Sequence, residues 1–174
     1  MSLPKLNKSL HLSTSRGFTL IELLVTSGLS LILIGGSLFA YSNYQTRQTQ
    51  VATAKQVVST LTTARNRSSS GDKPSEDCGT LVGYRVRAVA DSNRYFLSVR
   101  CSGGVELEAE QFSLAGDFLF LDSGFDVTFP NQPSPVTANE IVVEIGRELP
   151  VGDDVYRFTI QPSGVIEDDG LVAP

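Results

Sequence analysis

Three groups of side chains in this 174-residue chain are of types that could do chemistry. The first is a single carboxylate, Glu22, inside the run Arg16-Gly17-Phe18-Thr19-Leu20-Ile21-Glu22-Leu23-Leu24-Val25, which continues without another charge to Ala40. An ionised carboxylate in an apolar helix costs on the order of 3 kcal/mol near the bilayer centre and less near its edge, so an acid kept there has a task, and the chemistry on offer is pairing with a cation. The second group is Cys78 and Cys101, the only cysteines, which an oxidising compartment would join. Two separately buried thiols are the other reading. The third comprises the acidic clusters Asp153-Asp154 and Glu167-Asp168-Asp169. Their oxygens suit calcium, but they lack the spacing of a dedicated binding loop, and solvated turns are the plainer reading.

Enzyme chemistry is poorly provided for. The only histidine, His11, lies in a polar N-terminal segment, so neither the usual general base nor the usual zinc ligand is available further along. There is no Gly-x-Ser-x-Gly elbow and no phosphate-cradling glycine loop. The expectation is a chain with no catalytic residue, no metal and no cofactor. Arg85, Arg87 and Arg100 fall on one face of candidate strands and could touch nucleic-acid phosphates, but Glu106, Glu108 and Glu110 follow on the next strand. A charge ladder within the sheet is therefore expected rather than a DNA footprint.

The elements that position these groups follow from periodicity. From Phe18 to Ala40 the chain is apolar for 23 residues, which as a helix measures about 35 Å, against a hydrocarbon core of about 30 Å. Residues 1–17 carry Lys5, Lys8 and Arg16 and no acid, which favours their retention on the cytoplasmic side, and they read as a short leader ending at the small residue Gly17. A secretory signal peptide would have a shorter apolar region and a small-x-small site, whereas Leu38-Phe39-Ala40 places a bulky residue where a small one is wanted. A plain single-pass anchor is the remaining alternative.

No proline interrupts Phe18 to Lys73, and Val51, Ala54, Val58 and Leu61, with Val57 and Ala64 alongside, recur at helical spacing. One helix over 18–67 is predicted, its part over 18–41 transmembrane and its continuation over 42–67 amphipathic, with Gly28, Gly35 and Gly36 as its soft points. Ser68-Ser69-Ser70-Gly71 should end it. Residues 68–174 then form a β-rich domain. Val82, Tyr84, Val86 and Ala88 alternate with polar positions, as do Tyr95, Leu97, Val99 and Cys101, and Val105, Leu107 and Ala109. Treating Ser102-Gly103-Gly104 as the loop puts Cys101 opposite Val105, Val99 opposite Leu107, Leu97 opposite Ala109 and Arg100 opposite Glu106. Further strands are expected over 117–122, 125–129, 140–145 and 155–161, with connections too short for crossover helices. The fold class is α+β: the amphipathic half of a long N-terminal helix packed on an antiparallel β-sheet or small sandwich.

The net charge of −5 hides strong segregation. Residues 65–101 hold seven basic and four acidic groups, whereas residues 102–174 hold two basic and fourteen acidic groups. Such asymmetry permits electrostatic association between copies, the plainer alternative being a solvated acidic surface.

The segment Gly17-Phe18-Thr19-Leu20-Ile21-Glu22-Leu23-Leu24-Val25, behind a short basic leader and ahead of an unbroken apolar helix, resembles the class III signal of type IV prepilins and type II secretion pseudopilins. The resemblance covers roughly residues 1–45. It implies a type IV pilin-like fold, cleavage between Gly17 and Phe18 by a prepilin peptidase, N-methylation of Phe18, and Glu22 as the assembly carboxylate. Implied partners are the peptidase, other pilin or pseudopilin subunits, an inner-membrane assembly platform and membrane lipid. The implied location is the inner membrane, single-pass with the C-terminal domain outside the cytoplasm, and then a cell-surface pilus or periplasmic pseudopilus. Many main pilus subunits have a proline where this chain has Phe39, and often a disulfide near the C-terminus, whereas Cys78 and Cys101 sit early; the β-rich remainder is similar to minor pilins and H-type pseudopilins. A module at the filament tip for DNA uptake or surface adhesion is the alternative. Relatives that bind DNA do so through a basic C-terminal motif, and here Glu167-Asp168-Asp169 stands in that region, so DNA is not an expected partner.

Overall fold

The computed structural model describes residues 18–74, 78–121, 124–147 and 154–173. Its first element is α1, Leu20–Ser70, 51 residues long. Thr19 caps its start, the Thr19 Oγ1 accepting the Glu22 N–H at 3.3 Å, which satisfies one of the donors a first turn leaves open. Helical backbone continues through Gly28, Gly35 and Gly36. The helix ends three residues later than expected. Ser69 and Ser70 turn their hydroxyls back onto the Arg65 and Arg67 carbonyls, at 2.9 and 3.0 Å, and so remain helical. Termination falls to Gly71, whose φ of +68° lets its N–H reach the Ser68 carbonyl at 3.1 Å and the Asp72 N–H reach that of Arg67 at 3.0 Å. This pair of bonds is a Schellman motif, which needs a left-handed residue at that place.

The chain divides into two compact units, the first ending at Asn43 and the second beginning at Tyr44. In the first unit the described residues of α1 are exposed on every side, Leu20, Leu31 and Ile32 each by 70% or more.

The second unit contains the remainder of α1 and eight strands, all paired antiparallel: β1 (Leu81–Ala88), β2 (Arg94–Cys101), β3 (Glu106–Ser113), β4 (Leu119–Leu121), β5 (Asp126–Pro130), β6 (Ile141–Gly146), β7 (Val155–Ile160) and β8 (Ile166–Val172). They form two four-stranded sheets, sheet A in the order β3-β2-β1-β5 and sheet B in the order β4-β6-β7-β8. Ala54, Val57, Leu61 and Ala64 are completely buried, and Val51 and Val58 pack at the margin, so the expected helical stripe is present, centred on Val57. Two polar residues at its ends were not anticipated. Gln50 donates to the Ile145 and Asp154 carbonyls at 3.0 and 2.9 Å, and Ser68 donates to the Phe129 carbonyl at 2.6 Å. They occupy the buried face because strand ends there present carbonyls that would otherwise be unsatisfied.

The two sheets share one core. A run of ring contacts crosses it: Tyr95 stacks on Phe112 with centroids 5.1 Å apart and meets Phe120 edge-on at 6.0 Å, Phe120 meets Phe125 at 5.7 Å, and Phe125 meets Phe158 at 6.5 Å. Residues from β2, β3, β4 and β7 are thereby tied together. Gly124 permits this junction, because a Cβ there would lie 2.3 Å from the Ala88 carbonyl oxygen and 2.7 Å from the Ala90 nitrogen.

Two bulges displace the expected registers. In β1 the pairing jumps between Leu81 and Gly83, so Val82, expected inward, is 44% exposed. On β3, Arg100 opposes Glu106 and Val99 opposes Leu107 as expected, but Leu97 then opposes Glu110 rather than Ala109. The slip brings Phe112 opposite Tyr95, where the rings stack, and it reverses the face of everything beyond it. Val105, expected inward opposite Cys101, precedes β3 and is 48% exposed. The largest omission is β8: Glu167, Asp168 and Asp169 lie in an edge strand, not in a turn.

Candidate functional site

Gly17 lies outside the described residues. Phe18 is 77% exposed and, with Thr19, precedes the helix in non-helical backbone. Glu22 sits in the first turn of α1, where a carboxylate also suits the positive end of the helix dipole. Beyond it four hydroxyl side chains of this unit are turned back onto their own helix. Thr26 donates to the Glu22 carbonyl at 2.8 Å, Ser27 to that of Leu24 at 3.1 Å, Ser30 to that of Thr26 at 2.8 Å and Ser37 to that of Leu33 at 2.8 Å. Such bonding lets a polar residue enter an apolar medium at small cost. The Glu22 carboxylate has no hydrogen bond or ion pair to any described residue. Among the described residues it is an acid without a partner.

Cys78 and Cys101 are bonded, with Cα atoms 5.5 Å apart, and both are buried. The bridge ties the connection that follows α1 to the end of β2, beside the hydrogen bond from the Ser102 N–H to the Thr80 carbonyl at 2.8 Å.

The outer face of sheet A holds the predicted charge ladder in altered form. Arg85 reaches Asp126 through two parallel hydrogen bonds, the Nε to Oδ1 contact at 2.7 Å, and Glu106 through Nη1 at 3.0 Å. Ser98 donates to the other Glu106 oxygen. Glu110 does not belong to this ladder: the β3 bulge carries it to the opposite face, where it lies 3.9 Å from Arg67 of α1. The hydrogen bond from Arg85 holds the Asp126 carboxyl below the usual carboxylate range, and that from Ser98, reinforced by Arg85, does the same for Glu106. The Arg85 guanidinium is stabilised in its charged form in turn, chiefly by Asp126.

Depressed carboxyl pKa values fix the sign of the pH response. The folded state binds fewer protons at these groups than the unfolded chain, so their contribution is present above the ordinary carboxylate pKa of about 4 and is lost as pH falls below it. Partial exposure keeps the effect small, of order 1 kcal/mol. Thermal melts across this range should show stability falling below pH 4, with a shallower fall in Asp126→Asn; equal slopes would remove the ladder from the explanation.

The acids of β8 are held differently. Glu167 accepts from the Gln161 amide at 2.6 Å, Asp168 from the Tyr156 hydroxyl and Asp169 from Thr159 Oγ1 at 3.3 Å. Burial and the bond to Asp168 push the Tyr156 phenol above its usual range. Asp154 takes Arg47 at 2.8 Å, and Asp153 lies outside the described residues. Among the described residues no three potential ligands cluster as a metal site. An open groove of about 330 Å³ lies between the end of α1 and the β5–β6 connection, with Arg65, Phe129, Asn131, Gln132 and Ser134 among its walls. Among the described residues no histidine, cysteine or carboxylate lines it.

The missed signal at this site is Thr19. Thr19-x-x-Glu22 has the spacing of a capping box, legible in the sequence but overshadowed by the charge of Glu22. α1 is also the one helix among the described residues that is long and apolar enough to cross a membrane. No curated protein and no solved structure gives a significant match to the chain. Residues 12–38 match the model of the prokaryotic N-terminal methylation motif, and the chain thus carries a class III signal of the type IV prepilin kind.

Proposed function

We propose that the protein is a minor pilin or pseudopilin, cleaved between Gly17 and Phe18, methylated on the Phe18 nitrogen and built into a type IV pilus or a type II secretion pseudopilus. The methylation motif supports a type IV pilin-like subunit that is processed by prepilin peptidase and assembled with other such subunits. That motif and the apolar helix point to membrane anchoring before assembly, and to a structural role rather than an enzymatic one. In the finer reading residues 1–17 are the leader, 18–41 the segment held first in lipid and then in the filament core, 42–67 its amphipathic continuation, and 68–174 the displayed domain outside the cytoplasm. An inner-membrane platform extracts the processed chain.

The observation that carries the reading is Glu22, an acid without a partner among the described residues, on the exposed apolar first part of α1. Cleavage before Phe18 creates a protonated amine four residues from Glu22. In an apolar filament core that amine on one copy and the carboxylate on another neutralise each other, and an offset register leaves two unpaired charges. The early disulfide and Phe39 in place of a proline favour a minor subunit. Shearing filaments from cells that express the chain, with and without prepilin peptidase, tests the proposal. The shortened chain is expected in the filament fraction only when the peptidase is present; absence from that fraction in both strains would overturn it.

A further inference from the structure

Among the described side chains, the outer face of sheet A carries more positive charge than its acids neutralise. Asp126 and Glu106 are both taken by Arg85. Arg87 and Arg100, on the same face, are exposed and form no ion pair with any described residue. The Arg87 guanidinium lies over the Phe96 ring at 5.6 Å, which restrains it as a flat cationic surface. Val82 and Val105, each nearly half exposed, stand one residue from Gly83 and Glu106, the two residues that Arg100 opposes.

The opposite charge is concentrated on β8, an edge strand of sheet B. Glu167, Asp168 and Asp169 are exposed. Their hydrogen-bond donors are a side-chain amide, a phenol, a hydroxyl and the Gly170 backbone N–H, all neutral. These bonds orient the carboxylates without cancelling their charge, and no described cation pairs with them. One chain thus displays a cationic face and an anionic edge, each only partly compensated.

We propose that the outer face of sheet A, centred on Arg87 and Arg100, docks the β8 edge of a second copy of this chain. This rests on the filament reading above, with a second copy of this chain among the neighbours in the filament. The argument for the occupant is charge complementarity: the deficit on one surface is the surplus on the other, and like surfaces repel. The two surfaces are different, so the contact is head-to-tail, the type of interface that repeats into an open helical array. The carboxylates also discourage strand-to-strand pairing along β8, because aligning two such edges brings like charges together.

The test uses the full-length chain expressed with peptidase and assembly machinery. Arg87→Glu with Arg100→Glu, and separately Glu167→Lys with Asp169→Lys, should each lower incorporation about tenfold while leaving leader removal and the native disulfide intact. Asp168 is left in place because it holds Tyr156. A chain carrying all four substitutions restores opposite charges with the signs exchanged and should recover most of the loss. Arg87→Cys and Asp169→Cys placed on two co-expressed copies should give a crosslinked dimer, and neither should do so alone. Normal incorporation of both reversed chains, or no rescue and no crosslink with processing and disulfide intact, would overturn the proposal. So would binding of duplex DNA by the wild type that only the arginine reversals abolish. Absence of the wild-type chain from filaments would instead strike the filament reading.

Discussion

Glu22→Ala should be cleaved and methylated as efficiently as the wild type yet enter filaments on the order of a hundredfold less, the scale of breaking a charge pair in an apolar interior. The substitution is clean because the cap at the start of α1 uses the Glu22 backbone N–H, not its carboxylate. Alanine keeps that bond and is a better helix former, so helix start and membrane insertion should be unharmed. Glu22→Gln should behave like alanine if charge is what matters. Pulse-labelling separates processing from incorporation, and normal incorporation of both variants would leave the acid with no role beyond the first turn of the helix.

Removing the disulfide has the second large effect expected here, and it concerns the β-rich unit. The bridge joins residues separated by 23 in sequence, and closing a loop of that size stabilises a domain by about 3 kcal/mol in the chain-entropy model. Cys78→Ser with Cys101→Ser should lower the melting temperature by about 10 °C in a domain of this size. The buried location of both residues adds to the loss, since each serine buries a hydroxyl. A melting temperature within 2 °C of wild type, roughly half a kcal/mol, would mean the bridge constrains little. Proteolysis of the variant in cells would show whether this margin matters there.

Most of the fold was legible because its two periodicities are strong. The spacing of Ala54, Val57, Leu61 and Ala64 allowed only a helix with one buried face, and the alternation through Tyr84, Val86 and Ala88 only a half-buried strand. The near end of the β2–β3 register was recoverable from the requirement that Val99 meet Leu107 and Arg100 meet Glu106. Beyond it the bulge was not recoverable, because an extra residue in one strand leaves local alternation intact and is decided by a distant contact, here Phe112 on Tyr95. β8 escaped notice for a different reason. Glu-Asp-Asp-Gly is poor strand material by propensity, and pairing with β7 overrides it by supplying Tyr156, Thr159 and Gln161 as donors. Gln50 and Ser68 were passed over because a polar residue on a helical stripe reads as an interruption until the carbonyls it satisfies are seen.

The N-terminal site was legible in residue type more than in geometry. Glu22 stands out because a charge in an apolar run is costly, and the structure adds that nothing in the described chain relieves that cost. The hydroxyls of Thr26, Ser27, Ser30 and Ser37 look equally polar in sequence, yet their bonds to helix carbonyls remove them from consideration. What the β-rich unit binds is written less clearly, since its charges are distributed by register and register is what the bulges alter.

The proposed amine partner of Glu22 exists only after cleavage, so the decisive measurement is the intact mass and N-terminal sequence of the chain recovered from sheared filaments. The expected species begins at Phe18, carries one added methyl group on its nitrogen and has lost residues 1–17. A filament-borne chain that retains its leader, or begins at any other residue, would contradict the pairing of that amine with Glu22.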